Sequence, residues 1–345
     1  MKITVVGVGA VGGFIAARLA LGAGGAHTVS ALARGATLEA LRERGLILRT
    51  SGQELRVPIA ATDAPAALGE QDLVIVAVKA HALAALAPTL APLIGAQTSV
   101  LPAMNGVPWW FLQTTATAET LRADERDLAS VDPEGRIAAA LALARVLGCV
   151  VHLASSTPAP GVVQHAFGER LIVGEPAGGT SPRVNAVAGV LREAGFTVEA
   201  SANVRQDIWF KLWGNMTMNP VSALTGATCD RILDDPLVRA FALRAMAEAA
   251  AIGARIGCPI EQSGEARMDV TRQLGAFKTS MLQDAEAGRP LEIDALLAAV
   301  HEIGLRVGVA MPATGALLGL TRLMARTRGL DVQPSKQEKA PRARE

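Results

Sequence analysis

The sequence predicts an α/β N-terminal domain with a mostly parallel β-sheet, followed by an all-α C-terminal domain. Over residues 1–203, short β-branched runs alternate with Ala/Leu-rich helical segments, a pattern typical of βαβ units. A glycine-rich turn joins the first run to the first helical segment, at residues 7–12. From residue 204 onwards, long helical periodicities replace the β-branched clusters, which predicts a helical domain.

Composition indicates a folded two-domain protein and excludes several function classes. The 345 residues are 50% hydrophobic and 19% charged, so a sizeable core can form. A net charge of +1 and only 3% aromatic residues are unfavourable for nucleic-acid binding. No stretch stays apolar for the ~20 residues of a membrane span. We therefore expect neither a nucleic-acid partner nor a membrane partner.

The cysteines and histidines are placed unfavourably for a metal site or a disulfide framework. Cys149, Cys229 and Cys258 lie far apart, and the five histidines show no ligand spacing. This pattern predicts no bound metal and a cytoplasmic protein.

The individual elements follow from the same patterns. In the N-terminal domain, residues 1–203, the predicted strands span 3–6, 28–32, 73–78, 99–101, 149–153 and 197–199, and the predicted helices span 11–21, 37–44, 81–93 and 183–194. Two runs at 162–166 and 170–173 predict an antiparallel hairpin. In the C-terminal domain, residues 204–326, the predicted helices span 208–218, 236–256, 261–286 and 293–307. Residues 327–345 are polar, which predicts a disordered tail.

The glycine-rich turn carries a chemical signal. Gly7, Gly9 and Gly12 form GxGxxG directly after a β-branched run and before an amphipathic helix. Gly7 allows a tight turn, Gly9 admits a pyrophosphate close to the backbone, and Gly12 permits close helix–strand packing. In this context we interpret the turn as the dinucleotide-binding loop of a Rossmann domain, rather than as a flexible loop. The predicted cofactor-binding residues here are Gly7, Val8, Gly9, Ala10, Val11 and Gly12.

The end of the second predicted strand indicates which dinucleotide binds. An NAD enzyme places an acidic residue there to bind the ribose hydroxyls. This chain has Ser-Ala-Leu-Ala-Arg-Gly at 30–35, with no acid and one arginine, Arg34. Because a guanidinium suits a 2′-phosphate, the sequence predicts NADPH as the cofactor. The alternative is an ordinary surface arginine.

Two polar residues follow strands of the predicted parallel sheet. Lys79 ends the apolar run LVIVAVK, and Asn105 with Gly106 follows SVLPAM. Ligands of such sheets bind at the carboxyl ends of the strands. Both features also occur without a function, since Asn-Gly is a common turn.

A polar stripe lies in an otherwise apolar helix of the second domain. Lys211, Asn215 and Asn219 recur every four residues, which places them on one helix face. One cation and two amides on one face suit a polar carbonyl-acid substrate, because buried polar groups need partners. The alternative is a lysine that reaches solvent beside two satisfied core asparagines.

A further candidate site lies between residues 280 and 294. Ser280 begins the motif SMLQD, and Gly288 and Pro290 break the helical run, so that Glu292 falls in the first turn of the next helix. A glutamate in this position is also a common partner of the helix dipole.

Together these motifs resemble the ketopantoate reductase (2-dehydropantoate 2-reductase) family. The resemblance implies that NADPH reduces ketopantoate to pantoate, for pantothenate synthesis, on a Rossmann domain over which a helical domain closes. It implies that Lys211 is the general acid and that Glu292 binds the substrate hydroxyl and holds the active-site geometry. It further implies that substrate contacts come from Asn215, Asn219 and Ser280, with Ser280 near the carboxylate, while Lys79 and Asn105 face nicotinamide and substrate.

The chain also departs from the family pattern. Phe277 and Lys278 stand where family members often carry asparagine, and Trp109, Trp110 and Phe111 follow the Asn-Gly turn. This aromatic cluster could reshape the pocket, or it could form a packed lid or a dimer contact. The polar stretch from 113 to 135 looks like an insertion.

Three functions therefore compete. The first is ketopantoate reduction, and the second is a paralogous 2-hydroxyacid dehydrogenase for another branched or aryl 2-oxo acid. The third is a non-catalytic NADPH sensor, which would need only the glycine loop and Arg34. The apolar C-terminal helices could support a homodimer.

Overall fold

The computed structural model describes residues 1–22, 24–114, 117 and 120–331. Its strands are β1 (Lys2–Val6), β2 (Thr28–Leu32), β3 (Leu46–Thr50), β4 (Gln53–Val57), β5 (Ala60–Thr62), β6 (Gln71–Val76), β7 (Ile94–Pro102), β8 (Gly148–Ala159), β9 (Val162–Gly174) and β10 (Thr197–Ser201). The helices of the first domain are α1 (Ala10–Gly22), α2 (Gly35–Arg44), α3 (Ala80–Leu86), α4 (Arg136–Ala140) and α5 (Pro182–Glu193).

The helices of the second domain are α6 (Val204–Thr225), α7 (Cys229–Asp234), α8 (Pro236–Arg255), α9 (Gly264–Arg272), α10 (Ser280–Glu286), α11 (Ala299–Arg306) and α12 (Pro312–Thr327). A π-helical turn at Asp294–Ala298 leads into α11. Short 3₁₀ segments lie at Pro65–Ala67, Ala87–Leu93, Ala123–Glu125, Pro133–Gly135 and Leu143–Arg145.

The first sheet is parallel throughout, as predicted. Its order is β5-β2-β1-β6-β7, and α1 follows β1 through the glycine-rich turn. The carboxyl ends of β1, β6 and β7 therefore point to one edge. This geometry places the glycine turn, Lys79 and Asn105 along the same edge of the sheet.

The second sheet corrects the predicted hairpin. Residues 162–166 and 170–173 belong to one strand, β9, which pairs antiparallel with β8 and parallel with β3 and β10. The physical reason is Gly168, which has a φ of +79° inside β9. The register between β8 and β9 shifts on either side of this glycine, so the β-branched pattern is interrupted while the strand continues.

The C-terminal domain is all-α, as predicted, but some of its helices differ from the predicted ones. The predicted helix at 261–286 is two helices, α9 and α10, and α7 and α12 were not predicted. Within the described residues, no helix combines the length and the apolar character needed to cross a bilayer.

The disordered tail was predicted to begin at residue 327, which is too early in the chain. Thr327 still belongs to α12, and Leu330 is buried, with its carbonyl accepting a hydrogen bond from the Leu291 amide. Residues 327–331 therefore pack with the helical domain, and the rest of the predicted tail, residues 332–345, lies outside the described residues.

The two domains share one of the two hydrophobic cores. One core packs α1 and α5 against both sheets, and the other joins β6 and β7 to the helices of the second domain. Trp110 from the first domain and Trp209 from α6 lie in this shared core, and both are essentially inaccessible to solvent. Residues of β6, β7 and α6 therefore belong to one continuous core.

Candidate active site

A groove over the glycine-rich turn has the features of a dinucleotide site. Gly7, Val8, Gly9 and Arg34 line it, together with Thr37, Asp63, Pro65, Val78, Ala82 and Thr89. A Cβ at Gly9 would have no atom within 4 Å, whereas one at Gly12 would lie 2.0 Å from the Gly7 carbonyl oxygen. Gly9 therefore leaves open space in the groove, and Gly12 permits the close packing of α1. Ala10 and Val11 begin α1 beside it.

The far end of this groove is electropositive. Arg34 is exposed and has no ion-pair partner among the described residues. The next residue begins α2, whose first turn has no side-chain cap, so its amide groups can bind an anion. The acid in the groove, Asp63, is 3.7 Å from Arg42. These residues fit the phosphate groups of a bound dinucleotide.

Lys211 lies where α6 meets the edge of the parallel sheet. Its Nζ donates hydrogen bonds to Asn105 Oδ1, at 2.7 Å, and to the carbonyl oxygen of Val151. Burial lowers the pKa of Lys211 to about 8, although Cys149 and Glu292 oppose the change. Burial also raises the pKa of the Cys149 thiol to about 12, so the thiol stays neutral. The site thus contains an ammonium group that releases its proton unusually easily.

Asn105 is fixed by a close backbone contact across the domain boundary. The next residue, Gly106, has a φ of +86°, and a Cβ there would lie 2.6 Å from both Cβ and the carbonyl oxygen of Ala295. The amide of Val107 donates to that same carbonyl at 2.8 Å. The Asn-Gly turn therefore rests on the π-helical turn, and only glycine fits at this position.

Lys79 joins the two domains through a charged network. Its Nζ lies 2.7 Å from Asp284 and 3.1 Å from Glu292, and both carboxylates are less than 10% exposed. Burial alone would lower the pKa of Lys79, but Glu292 and Asp284 outweigh it and raise the pKa above its ordinary value. Glu292 also accepts a hydrogen bond from the Ala80 amide at the start of α3, and Asp284 pairs with Arg289.

The predicted substrate residues lie on α6 and α10. Asn219 is buried and Asn215 is half-buried, whereas Ser280 is exposed as the first residue of α10. Within the described part of the chain, the side chains of Asn215, Asn219 and Ser280 form no hydrogen bonds. Thr279 Oγ1 bonds Ser222 Oγ, which fixes α10 against α6. The polar atoms of Asn215, Asn219 and Ser280 are thus available to a ligand.

The structure decides between the interpretations of the aromatic residues. Trp109, Trp110 and Phe111 are at most 2% exposed, so they pack inside the protein and offer no surface for a dimer contact. Trp109 and Trp110 line a cavity beside Asn105, and their indole nitrogens have no hydrogen-bond partner in the described residues. Phe277 makes an edge contact with Phe167 of β9, with ring centres 5.7 Å apart.

Asp284 and Thr37 are candidate site residues that the sequence patterns did not predict. Asp284 belongs to the SMLQD motif, but its pairing with Lys79 depends on residues 205 positions apart. Thr37 stands three residues after Arg34 and lines the same groove, so its position beside a candidate phosphate ligand was a usable signal.

Comparison with known proteins identifies the family. The model of "Ketopantoate reductase PanE/ApbA" matches residues 3–120, and that of "Ketopantoate reductase PanE/ApbA C terminal" matches residues 203–325. The chain belongs to the ketopantoate reductase family. The resemblance expected from the motifs is thereby confirmed, and with it a family of oxidoreductases on a Rossmann-like fold.

Individual relatives agree with membership of the ketopantoate reductase family. A 2-dehydropantoate 2-reductase of Mesorhizobium japonicum is 43% identical over 95% of this chain and 99% of its own length. A crystal structure of a proposed ketopantoate reductase from Ralstonia solanacearum is 60% identical, with a TM-score of 0.90, over 95% of this chain and 99% of that one. D-mandelate dehydrogenase with NADH and anilino(oxo)acetate shares the fold, at 19% identity and a TM-score of 0.81, over 96% and 100% of the two chains.

The charged network predicts that two acidic residues of α10 contribute differently to the stability of the protein. Asp284→Ala should lower the free energy of unfolding by about 1–3 kcal/mol, because Lys79 and Arg289 lose a buried partner. Glu286→Ala removes the partner of Lys278, and both residues of that pair are about half exposed, so it should cost less than ~1 kcal/mol. Urea denaturation measures both, and equal losses would contradict the role given to Asp284.

Proposed function

We propose that this protein reduces ketopantoate to pantoate with NADPH. The observation that carries the proposal is the buried Lys211 ammonium, held against Asn105 at the junction of the parallel sheet and α6. A sensor of NADPH would need the groove but not this lysine. The 43% identical 2-dehydropantoate 2-reductase supports ketopantoate as the substrate.

The chemistry follows from the position and acidity of Lys211. When bound, NADPH supplies the hydride that the 2-oxo carbon accepts. Negative charge then develops on the carbonyl oxygen, and an adjacent ammonium both stabilises that charge and donates the proton. With a pKa of about 8, Lys211 is mostly protonated at neutral pH and yet is a stronger acid than an ordinary lysine. Asn105 keeps Nζ in place through its side-chain oxygen.

The remaining polar residues bind and orient the substrate. We assign Glu292 to the substrate hydroxyl, since its carboxylate is fixed by Lys79 and by the Ala80 amide. Asn215, Asn219 and Ser280 supply donors and acceptors along the cleft beside Lys211. Lys79 acts mainly by holding Glu292, because its own charge is balanced by two carboxylates.

The groove residues support NADPH rather than NADH as the cofactor. Arg34 and the first turn of α2 would hold the 2′-phosphate, with Thr37 adding a hydroxyl donor. The three cysteines are free thiols, which is in keeping with a reducing compartment such as the cytoplasm.

The cofactor assignment predicts a selective effect of Arg34. Arg34→Ala should weaken NADPH binding by roughly 10- to 100-fold, because one or two charge-assisted hydrogen bonds are lost. NADH binding should barely change. Fluorescence titration measures both affinities, with Arg49→Ala on β3 as a control of equal charge. Equal affinity of the unmutated protein for the two cofactors would refute the assignment.

The general-acid assignment predicts a pH dependence. Because Lys211 must be protonated to donate, kcat/KM for reduction should fall above about pH 8. Lys211→Ala should lower kcat by roughly 10²–10⁴-fold and remove this alkaline decrease. Lys278→Ala changes an exposed, ion-paired lysine and should leave the profile intact. If Lys211→Ala keeps near-full turnover, another group is the acid.

The substrate assignment predicts a preference for a hydroxylated acid. If Glu292 pairs with the hydroxyl, ketopantoate should exceed 2-oxoisovalerate and phenylglyoxylate in kcat/KM. Leaving the buried carboxylate unpaired costs more binding free energy than losing a methyl group, which costs only about 1–3 kcal/mol. Glu292→Gln should reduce this preference. If kcat/KM for either hydroxyl-free acid equals kcat/KM for ketopantoate, the result favours the paralogous dehydrogenase instead. The aromatic contact of Phe277 with Phe167 agrees with that alternative.

A further inference from the structure

Arg267 lies beside the Lys211 face of α6 and has no role so far. It belongs to α9, and its guanidinium carbon is 5.5 Å from the centre of the Phe210 ring. A Cβ at Gly214 would lie 3.2 Å from the Nε of Arg267. Gly214 comes three residues after Lys211, so the two are neighbours on the helix surface. The guanidinium is therefore packed over α6, next to the lysine.

The guanidinium of Arg267 lacks an acceptor. Its Nε is buried without a hydrogen-bond partner, and no described carboxylate forms an ion pair with it. Arg205, which is buried on α6, shows the contrast, since it donates to the carbonyl oxygens of Phe111 and Ile256. A buried donor without a partner destabilises the protein, because it has lost its hydrogen bonds to water. A ligand with an oxygen acceptor would remove this cost.

The other cations of the region are already balanced. Burial lowers the pKa of His152 to about 4, and Lys211, Arg170 and Arg267 lower it further, so the imidazole is neutral and the cations lie around it. Arg170 pairs with Glu199 at 2.5 Å, and Lys211 bonds Asn105 and Val151. Among the described residues, Arg267 is thus the cation of this cluster whose charged group forms neither an ion pair nor a hydrogen bond.

We propose that Arg267 binds the carboxylate of the 2-oxo acid substrate beside Lys211, an inference that rests on the proposed function. A 2-oxo acid presents an anion directly next to its carbonyl group. Lys211 is assigned to the carbonyl oxygen, Lys79 is neutralised by two acids, and Asn215, Asn219 and Ser280 carry no charge. Arg267 supplies the missing counter-charge, and its planar fork suits a carboxylate.

The test compares substitutions of Arg267 with a matched control. Arg267→Gln should raise KM for ketopantoate by roughly 10- to 100-fold, the worth of a charge-assisted hydrogen bond, and change kcat by less than about twofold. Arg267→Lys should restore part of the loss, because it keeps the charge. Arg244→Gln, an exposed arginine of α8, should change neither constant. Thermal denaturation checks that each variant is folded.

An uncharged substrate distinguishes a role of Arg267 in binding the carboxylate from a role in the structure of the protein. With the amide of the same acid, the unmutated protein and Arg267→Gln should have the same kcat/KM. An unchanged KM for the acid, or an equal loss for acid and amide, would overturn the proposal. If Arg267→Gln does not fold, the same comparison is made with Arg267→Lys, which should still lower the preference for the acid over the amide.

A binding measurement keeps this inference separate from the proposed function. If the unmutated protein does not reduce ketopantoate, the substrate assignment fails on its own. Oxalate, which has the carboxylate and adjacent oxygens of a 2-oxo acid, then serves as the probe in calorimetry with NADP⁺ present. Arg267→Gln should weaken oxalate binding by at least about tenfold. Equal affinity in the two proteins would exclude Arg267 as an anion-binding residue.

Discussion

The site depends on one buried charge whose hydrogen-bond partners lie in the other domain. Moving an ammonium out of water is costly unless acceptors replace the solvent. Lys211 finds them in the side chain of Asn105, in the turn after β7, and in the carbonyl of Val151, within β8. Helix α6 must therefore dock on the sheet edge in one register. This requirement also keeps the lysine acidic, because the same burial that fixes its position disfavours its charge.

The shared core makes this docking rigid. Trp109, Trp110 and Phe111 fill the space between β7 and α6, and Phe111 stacks on Trp209 at 5.8 Å between ring centres. Catalytic groups held by packed elements keep their geometry better than groups on loops. The packing of Trp109, Trp110 and Phe111 thus holds the base of the site in place.

Local patterns predicted much of the fold, and distant contacts explain what they missed. The glycine motif and the β-branched runs predicted β1, α1 and the parallel sheet, because each signal lies within a few residues of the element it specifies. The same reasoning wrongly predicted two strands in place of β9, because the β-branched pattern is interrupted at Gly168. The strand continues there through a positive φ. The stripe of Lys211, Asn215 and Asn219 follows from helical spacing alone. The pairing of Lys79 with Asp284 and the lone guanidinium of Arg267 do not, because both depend on which helices meet across the cleft.

The backbone contact between Gly106 and Ala295 constrains how such a site can change over evolution. Any side chain larger than hydrogen at 106 would push the π-helical turn away and, with it, the segment that carries Glu292. The floor of the cleft therefore tolerates almost no substitution. Phe167 and Phe277 are constrained less, since they touch only at their ring edges and Phe167 is half exposed. Substitutions at these two aromatic residues are thus tolerated more readily than substitutions at Gly106, on which the positions of Asn105 and Glu292 depend.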